Sequence, residues 1–142
     1  MRIADVLRRK GNLVVTIGPD EPVTALLEAL DKHGVGALVV SRGDGSVDGI
    51  VSERDVVRHL HSVGREILAG PVGAIMTSEV QTCGLHDATD DLVVTMTERR
   101  IRHVPVLEEG RLIGIVSIGD VVKERMEALA AERDHLAAYI SS

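Results

Sequence analysis

The sequence predicts a mixed α/β fold made of two copies of one strand-helix-strand-strand-helix unit, each a small three-stranded sheet packed with helices, and three observations carry that prediction. The decapeptide Gly49-Ile-Val-Ser-Glu-Arg-Asp-Val-Val-Arg58 returns as Gly114-Ile-Val-Ser-Ile-Gly-Asp-Val-Val-Lys123, with seven of ten positions identical at an offset of 65. Upstream, Thr16, Gly18, Leu26 and Val40 match Thr82, Gly84, Leu92 and Val106 at an offset of 66, so one residue is lost in the loop before the second decapeptide. Within each copy, helical spacing of apolar residues gives way to short Val-rich runs and then returns.

Taken in order, residues 1–9 read as a short lead-in helix. Val23, Leu26, Leu27 and Leu30 fall on one helical face, with Asp20 as the expected N-cap, Pro22 in the first turn and Gly34 at the stop. The counterpart runs from about 89 to 100, with Leu92, Val93 and Met96 inward. The apolar runs 37–40 and 104–107 face 47–51 and 112–116 across turns at Arg42-Gly-Asp-Gly-Ser46 and Glu108-Glu-Gly110, as buried hairpins do. Helices begin at once after these hairpins, near Arg54 or Asp55 and near Asp120. The expected division is 1–64 for the first motif with its lead-in, 65–71 for a connector, 72–124 for the second motif and 125–142 for a helical extension. A helix over 119–140 would be roughly 33 Å long. Its stripe of Val122, Met126, Leu129, Leu136 and Ile140, interrupted by Arg133, is either a seam between subunits or a face packed back on its own domain. Neither half has the composition to bury its apolar face alone.

Composition excludes several functions. At 142 residues and 44% hydrophobic content the chain supports one substantial core, so disorder is not its main state. A balance of 22 acidic against 16 basic side chains, net -6, opposes nucleic-acid binding. Tyr139 is the lone aromatic, so stacking platforms for single strands are missing. Cys83, the single cysteine, excludes an internal disulfide or a four-cysteine zinc site and fits a reducing compartment, with the cytoplasm expected. No stretch approaches the roughly 18 apolar residues of a membrane span, and no secretory leader is expected.

The chemistry gathers at Gly49-Ile-Val-Ser-Glu-Arg-Asp55 and Gly114-Ile-Val-Ser-Ile-Gly-Asp120. A carboxylate accepts from two vicinal hydroxyls, the amides of an opening helix turn favour anions, and a serine hydroxyl serves either role, which together suit a ribose with its phosphate. The glycine clears space where another backbone or a ligand must come close. Ser and Asp also cap helices, but a cap needs neither the glycine nor the second polar residue, so the duplication favours a ligand site. Other candidates fail. Val39 stands where a dinucleotide fingerprint needs its third glycine, and no Walker loop is present. His59 and His61 diverge on a helix and share no metal, and Cys83 near His86 lacks an orienting group for nucleophilic work.

These motifs, with Gly34-Val-Gly-Ala, Arg100-Ile-Arg-His-Val-Pro and Ala74-Ile-Met-Thr77, resemble a tandem pair of cystathionine-β-synthase (CBS) domains, the regulatory module also found in IMP dehydrogenase and in the gamma subunit of AMP-activated kinase. The resemblance covers residues 1 to about 124 and is nearest to stand-alone bacterial CBS-pair proteins. It implies a sensor, not an enzyme, with AMP as the first candidate ligand, ADP, ATP or NAD(H) as others, and no catalytic cofactor. It places Asp55 and Asp120 on ribose hydroxyls, Ser52 and Ser117 against ribose or phosphate, and Thr16 and Thr82 at the pocket mouths. Gly36, Ala37, Arg102, His103 and Val104 would border the base, and Lys10 would be a further phosphate contact. A homodimer, and an unknown protein target, are expected partners. The alternative is a structural or interaction module with empty clefts that works through its terminal helix. Arg54 precedes Asp55 where Gly119 precedes Asp120, and Gly36-Ala37 stand where Arg102-His103 stand, so the clefts should differ at least tenfold in affinity or take different nucleotides.

Overall fold

The computed structural model describes residues 1–11 and 13–141. The chain runs α1 (Ile3–Lys10), β1 (Thr16–Ile17), α2 (Val23–His33), β2 (Ala37–Val40), β3 (Gly49–Ser52), α3 (Glu53–Ser62), two 3-10 turns (Arg65–Ala69 and Val72–Ala74), α4 (Thr89–Arg99), β4 (His103–Glu108), β5 (Arg111–Ser117) and α5 (Ile118–Ser141). The mixed α/β class and the repeat are as expected. In the first half β1 pairs parallel with β2, and β2 antiparallel with β3, in register Ala37 to Ser52. In the second half β4 and β5 pair antiparallel, in register His103 to Ser117.

The expected third strand of the second half is reduced to one parallel bridge, Cys83 to Val106. This matches the Ile17 to Val40 rung of the first half at the 66-residue offset. The next rung, Thr16 to Val39, has no counterpart because Pro105 stands where Val39 does and has no N–H to continue a ladder.

Local expectations are corrected in three places. Pro22, not Asp20, occupies the N-cap position of α2, with no side-chain cap bond. Leu27 is 39% exposed, so the buried face of α2 is Val23, Leu26 and Leu30. Val47 lies outside β3, which starts at Gly49. Gly34 ends α2 in the left-handed conformation at φ 62°, and Arg100 ends α4 there at φ 56° without glycine's freedom.

Each half has its own apolar cluster, and each is completed by the segment that introduces the other. Ile3, Val6 and Leu7 of α1 pack among Leu92, Met96, Val104 and Val116 of the second half. Ile67, Val72 and Ile75, which introduce the second motif, pack among Leu26, Leu38 and Val51 of the first. The exchange repeats bond for bond: Ile3 N donates to the Asp87 carbonyl at 3.0 Å and Val72 N to the Glu21 carbonyl at 2.8 Å. Ala4 N donates to Leu85 at 2.9 Å where Gly73 N donates to Pro19 at 2.8 Å. An exchange of this kind is why neither half buries its face alone.

Candidate functional site

Both Gly-Ile-Val-Ser-x-x-Asp motifs lie where a strand turns directly into a helix. Ser52 ends β3 and caps α3: its Oγ accepts from Asp55 N at 3.3 Å, while Ser52 N and Oγ donate to Asp55 Oδ2 at 2.8 and 3.1 Å. Ser117 and Asp120 repeat this at the start of α5, with Asp120 N donating to Ser117 Oγ at 3.1 Å and Ser117 N to Asp120 Oδ2 at 2.9 Å. Each aspartate is therefore the third-residue partner of a capping box, a role that the sequence reading weighs below a ligand site. The described bonds converge on Oδ2 of each carboxylate.

The motif glycines also have a packing reason. A Cβ on Gly49 would lie 2.6 Å from Met76 Sδ and 2.8 Å from the Thr77 carbonyl, and one on Gly114 would lie 2.9 Å from two Leu7 methyl carbons. Of the two alternatives left open, close approach of chain or of ligand, these contacts are with the exchanged lead-ins.

The remaining residues converge unevenly. Glu53 N donates to the Gly36 carbonyl at 3.0 Å, and Ile118 N to the Arg102 carbonyl at 2.9 Å, so both strand starts sit against the helix starts. A Cβ on Gly36 would lie 3.6 Å from Glu53 Oε1 and 3.8 Å from His103 Cε1, which brings the matching stretches at 36–37 and 102–103 of the two halves face to face. Ala37 and Val104 are buried, Arg54, Arg102 and Gly119 exposed. Thr16 opens β1 and Thr82 lies one residue before the Cys83 bridge, both exposed.

The decisive difference is Lys10. Its Nζ donates to Asp120 Oδ2 at 2.6 Å and to the Ile115 carbonyl at 2.7 Å. Burial by itself raises the Asp120 pKa, but the Lys10 ammonium and the Ser117 N–H outweigh it and hold the carboxyl below its ordinary value. Burial, helped by Lys10, pushes His103 below its ordinary value against the opposing pull of Asp120 and Glu53. Sequence reasoning named Lys10 for a phosphate and missed its carboxylate partner, which is 110 residues away. It also missed Arg9, which pairs with Glu124 at 3.2 Å and with Glu127. A cavity of about 600 Å³ between α1 and α5 is bordered by Lys10, Asp120 and Lys123. A second, of about 500 Å³, lies between 18–22 and 41–43 and contains none of the motif residues.

Cys83 is buried, and burial, with Asp87 adding to it, pushes its thiol up to about 12, which leaves it without thiolate character. Among the described residues no group of three or more His, Cys, Asp or Glu is placed to hold a metal ion. No helix of the described residues is long and apolar enough to cross a membrane.

The CBS domain family profile matches residues 3–62 and 72–127. The mitochondrial CBS domain-containing protein CBSX3 of Arabidopsis thaliana is 36% identical over 146 residues, covering 97% of this chain and 71% of the relative. The CBS-domain containing protein ATU1752 of Agrobacterium tumefaciens is 46% identical with a TM-score of 0.85, covering 88% of this chain and 99% of that one. The CBS domain pair of protein MJ0100, crystallised with 5'-methylthioadenosine and S-adenosyl-L-methionine, shares the fold at a TM-score of 0.79 and 22% identity, over 90% of this chain and 98% of that one.

Proposed function

The chain belongs to the CBS domain family, with two copies in tandem, and from that premise we propose that it is a regulatory module that binds an adenosyl ligand at its two strand-to-helix junctions. The observation that carries this reading is the duplicated capping box, which fixes Asp55 and Asp120 at equivalent helix starts. Asp55 and Asp120 hold the ribose diol, and hydrogen bonds to charged groups of about 1.5 to 3 kcal/mol make that a sizeable share of a micromolar affinity near 8 kcal/mol. Ser52 and Ser117 lie against ribose or phosphate, and Thr16 and Thr82 line the mouths. Gly36, Ala37, Arg102, His103 and Val104 border the base. AMP is the first candidate, with ADP, ATP and NAD(H) as others. The ligands of the MJ0100 pair support the adenosyl class, because methylthioadenosine and S-adenosylmethionine share adenosine's ribose with AMP. Occupancy would bias the angle between the halves or the set of α5, and a partner reading that geometry would respond.

The test is thermal unfolding with AMP. A 100-fold excess over the dissociation constant stabilises by about 2.7 kcal/mol. Asp55→Asn with Asp120→Asn keeps a cap acceptor at each helix and removes the charge, and the AMP-dependent rise should vanish. An undiminished rise in this double variant rejects the ribose role, and calorimetry should resolve the two clefts as at least tenfold apart.

One observation favours a second reading. The α5 residues Val122, Met126, Leu129 and Leu136 are between 48% and 65% exposed, and Ile140 is 82% exposed, so this face is not packed back on its own domain. A homodimer or a protein target on that stripe would be the module's working contact, with empty clefts. Absence of a thermal shift across AMP, ADP, ATP and NAD(H), with sedimentation at twice 15.2 kDa, would favour it.

A further inference from the structure

Lys10 is the last residue of α1, and its ammonium reaches into the opposite half to hold Asp120 Oδ2 and the Ile115 carbonyl at once. In the first half the Ile50 carbonyl, counterpart of Ile115, accepts instead from the Thr77 backbone N–H at 2.9 Å. The described hydrogen bonds to the Asp55 carboxylate come from Ser52. A ribose diol approaching Asp120 thus meets a carboxylate that already has a cationic partner, and one approaching Asp55 meets a carboxylate held by its own helix cap.

Resting on the nucleotide-binding reading above, we infer that Lys10 makes the Asp120 cleft selective for adenosyl ligands that carry an anionic group, by exchanging Asp120 for that group when the ribose binds. A neutral nucleoside that takes the carboxylate strands the ammonium without an anion. A 5'-phosphate supplies a new one. The side chain is suited to the exchange, since a lysine ammonium carries three rotatable donors on a flexible stem and has no fixed fork to break. The Ile115 carbonyl serves as a pivot that either position can keep. Arg9, paired with Glu124 and Glu127, holds α1 against α5 while Lys10 turns, so the exchange does not undock the helix. The opening turn of α5, at Gly119, favours the same negative charge. The cavity beside Lys10, at about 600 Å³, has room for it.

Calorimetry with AMP and with adenosine tests this in an Asp55→Asn background, so that the Asp120 cleft dominates the heat. Lys10→Met should weaken AMP by about ten- to a hundredfold, the worth of a charge-assisted hydrogen bond. Adenosine should bind as before or more tightly, because no ammonium has to be displaced. Lys10→Arg, which keeps the charge, should keep a preference for AMP. If Lys10→Met weakens both ligands by one factor, Lys10 is only a strut between α1 and α5 and the inference fails; it fails equally if neither affinity moves. If the chain with Lys10 intact binds neither AMP nor adenosine, the nucleotide reading itself is what has fallen, and the selectivity falls with it.

Discussion

The two halves share a motif, a hairpin and an exchanged lead-in, yet among the described residues one aspartate is engaged by its own helix cap alone and the other also by a lysine from across the molecule. Asp55 is 9% exposed and bonded to Ser52, whereas Asp120 shares Oδ2 between Ser117 and Lys10. The difference arises in the lead-ins. Residues 72–77 leave their 3-10 turn and pair Thr77 with Ile50 through the backbone, while α1 stays helical through Lys10 and sends a side chain to Ile115 instead. The duplicated fold thus keeps the main-chain bonds that dock each lead-in and departs where a lysine side chain takes the carbonyl that a backbone amide takes in the other copy.

The sharpest way to break the comparison is to fill the motif glycines. Gly49→Ala drives a methyl against the Thr77 carbonyl, which is main chain and cannot swing away, whereas Gly114→Ala meets the flexible end of Leu7. Overpacking costs about 1 to 3 kcal/mol, with Gly49→Ala expected near the top of that range and Gly114→Ala near the bottom. Chemical denaturation of the two variants reads the order, and equal losses would mean that the two lead-ins yield alike.

A smaller effect, of opposite sign, comes from the helix ends. Arg100 adopts the left-handed conformation that Gly34 adopts in the first half, at a cost of about 1 kcal/mol for a side-chain-bearing residue. Arg100→Gly should therefore raise stability by up to that amount, while Gly34→Ala should lower it. A melting temperature unchanged by Arg100→Gly would show that the arginine side chain has a compensating contact.

The smallest effect concerns His103, which has Ala37 as its counterpart. Its folded pKa lies below the unfolded 6.5, first because of burial and then because of Lys10, so the unfolded chain binds the proton more readily. The stability this site contributes is full above about pH 6.5 and is lost as pH falls from there through the folded pKa. His103→Gln should flatten that part of the stability curve. Asp120 adds a separate loss at lower pH, since its depressed carboxyl contributes above the unfolded value of 3.8 and ceases to contribute as pH falls through its folded pKa. A curve above pH 5 that His103→Gln leaves unaltered would remove the imidazole as its source.

Much of this was legible in the residues. The decapeptide repeat located both strand-to-helix junctions, and Gly34, the Val-rich runs and Glu109-Gly110 located a helix stop, two hairpins and a tight turn with φ 50° and 76°. The lead-in exchange was only half legible: Ile3, Val6 and Leu7 stand at a 69-residue offset from Val72, Ile75 and Met76, an apolar match without identity. The third strand of the second half was misread because Pro105 looks like any residue of an apolar run until it must donate a hydrogen bond. The capping role of the aspartates was underrated because a spacing that suits a ligand also suits a helix cap.

The sequence by itself determined the duplication, the order of elements and the two aspartates, since these depend on periodicity and local hydrogen bonding within a few residues. Tertiary structure alone decided which core each lead-in completes and that Lys10 meets Asp120. Those outcomes depend on the packing of segments far apart in the sequence, where side-chain reach and available space choose among partners that local pattern leaves equivalent.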